Sequence, residues 1–147
     1  MQMLSFQTGI TFGHGGNLKD FSPTGFSLTP HEVSTWSEAP MAELAFRLPP
    51  VRSDLRFSIE VFPFLGNGVI PQQGCWIFFN GGFVSYASVR AATELNFSVP
   101  LDLLYPRLNR LSFAFPNAVS PRELNIGDDL RLLGLSFLRL SAGTTAA

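Results

Sequence analysis

Between Leu55 and Val61 every second residue is apolar (Leu55, Phe57, Ile59, Val61), while Arg56, Ser58 and Glu60 between them are polar or charged. A period of two puts the apolar set on one face of an extended chain, so this segment predicts a β-strand with one buried face. Leu44, Phe46 and Leu48 set against Glu43, Ala45 and Arg47 repeat the pattern. The connection between them, Pro49-Pro50-Val51-Arg52-Ser53-Asp54, is turn-rich and too short for a helical crossover. The two strands are therefore predicted to be antiparallel, either as neighbours or facing each other across a sandwich.

Further apolar runs follow at similar spacing: Cys75–Phe79, Phe83–Tyr86, Leu95–Val99, Leu111–Phe115 and Leu132–Leu140. Asn80-Gly81 between the first two predicts a hairpin with a type I′ turn, whose two central residues need positive φ. With 15 Phe, 13 Gly, 11 Pro and only 14% charged residues, the composition is that of sheets joined by turns. The pattern predicts an all-β fold, a two-layer antiparallel β-sandwich of jelly-roll type with one or two single-turn helices. A chain of 147 residues is one domain's worth. The expected organisation is a single domain over residues 1–142, a longer loop over Gly66–Gly74 and a flexible tail over 143–147.

One helical turn is predicted at Pro100–Leu104, stopped by Pro106, and a second begins at Ser120. There Ser120 reads as N-cap, Pro121 as the first helical residue, and Glu123 as the side chain reaching back to the cap. Gly127 suits a left-handed terminus, followed by Asp128 and Asp129 in a loop and Arg131 at the opening of the last strand. The two acids read as partners of Arg131 or of local amides, or else as part of a ligand site.

A formal charge of -1 with scattered acids and bases gives no basic stripe, which argues against nucleic acid and anionic membrane surfaces as partners. The single cysteine, Cys75, reads as a small buried hydrophobe, because no His, Lys or Arg flanks it to activate the thiol. The amino terminus has neither a basic nor an apolar leader segment and no stretch is long enough for a membrane helix, so the expected location is the cytoplasm. No Gly-x-Ser-x-Gly elbow occurs, and no pair among Glu32, Glu38, Glu43, Glu60, Glu94, Asp128 and Asp129 is marked by spacing as a glycosidase pair. His14 lies in the loop Gly13–Asn17, with no helical pattern after it, and His31 beside Glu32 lacks further ligands for zinc. The expectation is a non-catalytic protein without metal or cofactor.

Gly25-Phe26 with downstream Glu32, Trp36-Ser37, Asn80-Gly81, and then Asn117-Ala118, Ser120-Pro121, Glu123-Leu124, Asp128-Asp129, Arg131 and Leu133-Gly134-Leu135 carry a resemblance. In this order, from about Phe26 to Leu140, the chain resembles the small carbohydrate-binding-module-like β-sandwich domain that accompanies bacterial glycosyltransferases in polysaccharide biosynthesis. Phe26 stands where that pattern carries Trp, and Thr35–Pro40 replaces its Gly-rich ending. The resemblance implies a non-catalytic accessory domain, with a glycan, a glycosyltransferase or a second copy of the chain as partner. It carries over no catalytic residue.

Sugar rings stack their C–H faces on aromatic side chains while their hydroxyls seek amides and carboxylates. Trp36 with Glu32, Ser37 and Glu38 is the best such set in the sequence, with Asn80 and Tyr86 as further candidates. Trp36 also reads as core, its indole N–H on a backbone carbonyl. Trp76 and Phe78 alternate with Ile77 and Phe79, so both faces of that strand are apolar, which places it centrally or under an oligomer contact. The alternative function is a structural or interaction module that docks a partner or its own copy through a flat patch of Phe62, Phe64, Trp76 and Phe79.

Overall fold

A computed structural model describes residues 2–144. It forms two antiparallel sheets packed face to face. In the first, β1 (Ile10–Thr11) and β2 (Thr35–Trp36) both pair with β9 (Leu135–Thr144), which pairs with β4 (Leu55–Pro63), which pairs with β7 (Thr93–Val99). The second runs β3 (Met41–Phe46), β8 (Asn109–Ala114), β5 (Gln73–Phe79), β6 (Gly82–Val89). From β2 to β5, and again from β6 to β9, successive strands alternate between sheets, the jelly-roll arrangement. The short Pro49–Asp54 connection therefore crosses the sandwich from β3 to β4.

The alternation drives this packing. Leu55, Phe57, Ile59 and Val61 of β4 are all buried and meet Leu44, Phe46, Ile77 and Phe79 from the other sheet in one core. Phe137 of β9 is its aromatic hub, with ring centroids 5.4 Å from Phe12, 5.2 Å from Phe26 and 5.1 Å from Phe113. Burying each such ring contributes about 1.5–3 kcal/mol, and edge-to-face pairs add to that. The β5–β6 hairpin has the predicted turn, with φ of 49° at Asn80 and 84° at Gly81.

Three local expectations need correction. The last strand begins at Leu135, not Leu132, and Arg131 lies in the loop before it. Leu133 instead bridges Val119, and Gly134 is pressed so closely on Phe115 and Ser37 that a Cβ would sit 3.0 Å from each. At its other end β9 continues through Gly143 and Thr144, in register with Arg56 and Leu55, while residues 145–147 of the expected tail lie outside the described residues.

The Ser120 segment is a capped run of turns, not a helix. Ser120 Oγ accepts from the Glu123 amide at 3.1 Å, but among the described residues the Glu123 carboxylate makes no return bond. Asn125, at φ 59°, takes the left-handed position expected of Gly127, and the amides of Asn125 and Ile126 donate back to Arg122 and Pro121. That is a Schellman closure completed two residues early, before a helical turn can propagate. The predicted turn near Leu101 is present as a 3-10 helix, Leu101–Leu103. A second, Leu18–Phe21, directly follows Asn17, where the sequence showed no helical pattern because four residues are too few to display a period.

Candidate functional site

The outer face of the second sheet carries the largest group of exposed aromatic rings. Trp76 of β5 and Tyr86 of β6 are directly opposite each other, and Phe78 is opposite Phe83. Strict alternation would send Phe83 and Tyr86, three residues apart, to opposite faces. A β-bulge prevents this: Ile77 pairs with Ser85 but Phe78 with Phe83, so Val84 is the extra residue and both rings emerge on the same side. Trp76, Phe83 and Tyr86 are 42%, 55% and 43% exposed, whereas Ile77 and Phe79 on the other face are buried. The Trp76 ring lies 4.7 Å from Tyr86 and 5.6 Å from Phe83, each at an interplanar angle of 55°.

Polar groups border the rings on neighbouring strands. Across β8 and β3, Trp76 aligns with Ala114 and Met41, and Phe78 with Ser112 and Glu43. Both Glu43 carboxylate oxygens are occupied, one by Arg110 Nη1 at 3.0 Å and the other by Ser112 Oγ at 2.9 Å. At the other end, Asn117 Oδ1 accepts from the Gly74 amide at 2.7 Å, and Gln73 Nε2 donates to the Asn117 carbonyl at 3.3 Å and to the Phe64 carbonyl at 2.7 Å. A Cβ on Gly74 would lie 3.0 Å from both Asn117 Oδ1 and the Tyr86 hydroxyl, so glycine is what lets the two approach.

The sequence-selected residues divide among several places. Tyr86 belongs to the aromatic face. Trp36 is half-buried on the other sheet, edge-on to Phe62 at 5.3 Å and Phe64 at 6.1 Å. Trp36 and Phe62 flank Ser136 in register and close over it. Ser37 is fully buried, its hydroxyl accepting from the Leu135 amide at 3.0 Å, and Glu32 lines a separate cleft with His14, Val33 and Leu138. The expected flat patch of Phe62, Phe64, Trp76 and Phe79 does not form: Phe79 is core, Phe62 and Phe64 accompany Trp36, and Trp76 is on the opposite sheet. Asn80 is a strut. Its Nδ2 donates to the Leu103 carbonyl at 2.8 Å and to Asn109 Oδ1 at 2.9 Å, and its Oδ1 accepts from the Arg110 amide at 2.8 Å.

Asp129 and Arg131 pair with each other, as the first of the alternatives for the acidic loop anticipates. The Arg131 Nη2 to Asp129 Oδ2 distance is 2.7 Å, Arg131 Nε donates to both carboxylate oxygens, and the Arg131 amide caps Oδ1 at 2.9 Å. The hydrogen bonds from the Arg131 side chain, then from its amide, hold the Asp129 carboxyl below the usual carboxylate range. Asp128 is exposed beside them. Burial pushes the Cys75 thiol up to about 12, leaving it protonated and unreactive at neutral pH. Among the described residues no three His, Cys, Asp or Glu side chains gather to hold a metal, and no helix is long and apolar enough to cross a membrane.

No family model and no curated protein sequence matches the chain. Solved structures do. The sugar-binding C-terminal domain of EclA superposes with a TM-score of 0.47 at 5% identity over 69% of this chain and 64% of that one. A family two carbohydrate esterase from Clostridium thermocellum in complex with cellohexaose gives 0.46 at 14% identity over 83% of this chain and 31% of that one. The carbohydrate-binding module CBM36 in complex with calcium and xylotriose gives 0.43 at 10% identity, with 95% of both chains covered. The chain thus spans less than two-thirds of the first two.

Proposed function

We propose that this domain is a non-catalytic carbohydrate-binding module whose ligand lies on the Trp76–Tyr86–Phe83 face. The observation that carries this reading is the exposure of three neighbouring rings on a face that a β-bulge re-aims outward, bordered by hydrogen-bonding groups held in place. Covering exposed aromatic surface removes it from water and is favourable, and a sugar supplies both C–H faces for rings and hydroxyls for a polar rim. Trp36, enclosed by Phe62 and Phe64, with Ser37 buried, is less suited to stacking than Trp76. Affinity electrophoresis through gels containing soluble polysaccharides tests the proposal: the wild type is retarded by at least one, and Trp76→Ala is not. Absence of retardation or capture across a panel of polysaccharides, soluble and insoluble, would end it. The resemblance to domains that accompany glycosyltransferases supports placing such binding beside a polysaccharide-assembling enzyme.

A second reading has its own support. Met41 is more than half exposed in the same cross-strand row as Trp76 and Tyr86, and a continuous apolar patch also suits docking of a second copy. Sedimentation velocity at micromolar concentration separates the two, since docking predicts a dimer that Phe83→Ser abolishes, and glycan binding predicts a monomer.

A further inference from the structure

Resting on the carbohydrate reading, we infer that the face takes a single, solvated glycan chain and not the surface of a crystalline polysaccharide, and that the Asn117 side-chain amide is a specificity-determining donor to that chain. The first half follows from ring geometry. A crystalline polysaccharide presents one plane, and only coplanar rings can lie on it together. Here Trp76 is inclined at 55° to both Tyr86 and Phe83, and Phe83 is at 69° to Phe78. Trp76, which touches both neighbours, therefore cannot lie flat on one plane together with either Tyr86 or Phe83. A solvated chain turns from one sugar to the next and meets rings of differing inclination in succession.

The second half follows from which polar groups are already used. Glu43, the acid of the rim, has both oxygens engaged by Arg110 and Ser112, so it is not a free acceptor. Arg110 spends Nη1 on that pair and keeps its remaining N–H groups on a half-exposed side chain. Asn117 is fixed at two points: Oδ1 takes the Gly74 amide and the main-chain carbonyl takes Gln73 Nε2. That fixes the orientation of the amide and leaves Nδ2 without a protein acceptor among the described residues, on an exposed side chain whose Oδ1 lies, like the Tyr86 hydroxyl, 3.0 Å from where a Gly74 Cβ would be. Such a donor, aimed before the ligand arrives, binds a sugar hydroxyl without an ordering cost. The rim thus offers donors, and the ligand hydroxyls and ring oxygens accept.

The test compares soluble neutral chains (xyloglucan, glucomannan) in affinity gels with microcrystalline cellulose and chitin particles in pull-downs. Wild type, Trp76→Ala and Asn117→Asp are measured. The aspartate keeps an acceptor for the Gly74 amide but has no donor, and thermal unfolding checks that each variant is folded. The expected result is retardation by a soluble chain, no depletion by particles, and affinity weakened about three- to tenfold by Asn117→Asp, the loss of one hydrogen bond. Depletion by particles without retardation by soluble chains overturns the single-chain inference while leaving carbohydrate binding intact. Retardation unchanged in folded Asn117→Asp overturns the role of Asn117. Binding to neither class removes this inference and the carbohydrate reading together.

Discussion

The behaviour of single residues here is set by what encloses them. Cys75 has no access to solvent, and its raised pKa means that the folded state holds its proton where the unfolded state releases it. Its contribution to stability is therefore fully present below the ordinary thiol pKa of about 8.5 and lost as pH rises from there toward 12. Wild type and Cys75→Ala should accordingly lie farthest apart in unfolding free energy below pH 8 and converge above pH 10, with no thiol-reagent reaction until the chain unfolds. Asp129 has the opposite sign. Its pKa is depressed, so the Arg131 contact stabilises above the ordinary carboxylate pKa and fades as pH falls below about 4. The pair is partly solvated, so Asp129→Asn should cost under about 1 kcal/mol at pH 7, and the difference should shrink as pH falls into the acid range, by denaturant titration. Phe137 is a different case, fully buried among four other rings. Phe137→Ala should cost about 3–5 kcal/mol, a large share of a typical domain's total, seen as a lowered urea midpoint.

At the scale of elements, the β5–β6 hairpin joins fold to site. Asn80 holds its turn to β8 and to the 101–103 helix through three side-chain bonds, so Asn80→Gly keeps the positive φ yet takes the side-chain partner from the Leu103 carbonyl and the Arg110 amide, while Asn109 keeps its bonds to Tyr105. The expected loss is about 2–3 kcal/mol in thermal or chemical unfolding, and Asn80→Ala should lose more, since a non-glycine, non-asparagine residue is strained at that φ. The turn itself was legible in the sequence because Asn-Gly has a local cause. The aromatic face was only half legible. Period-two reasoning put Trp76 and Phe78 on one face, but Phe83 and Tyr86 join them only through the bulge at Val84, which depends on pairing with a neighbouring strand and leaves no mark in the alternation. Trp36, Ser37 and Glu38 are neighbours along the chain, yet in an extended strand adjacent side chains diverge, and Ser37 faces inward, which spacing along the sequence does not display. Asn117, noted in the sequence only as part of the resemblance, gave no signal of its contact with Gly74, which is 43 residues away.

For the whole molecule, two layers and the buried set were readable because burial on one face imposes the period directly on the sequence. The order of strands within each sheet was not, since it rests on pairings between distant segments. The placement of β9 has a consequence for how the chain is made. This strand is interior to its sheet, with β1 and β2 on one flank and β4 on the other, and it carries Phe137 into the middle of the core. A growing polypeptide on the ribosome cannot close that sheet until residues 135–144 have left the exit tunnel, so its earlier strands wait with Phe12, Phe26 and Phe57 uncovered. Nascent chains stalled before Leu135 should be captured by chaperones and cut readily by protease, and those extended far enough beyond Thr144 for the last strand to clear the tunnel should abruptly resist digestion. Completion of the fold is thus timed to the last strand, and a premature stop anywhere upstream yields a substrate for quality control instead of a smaller working domain.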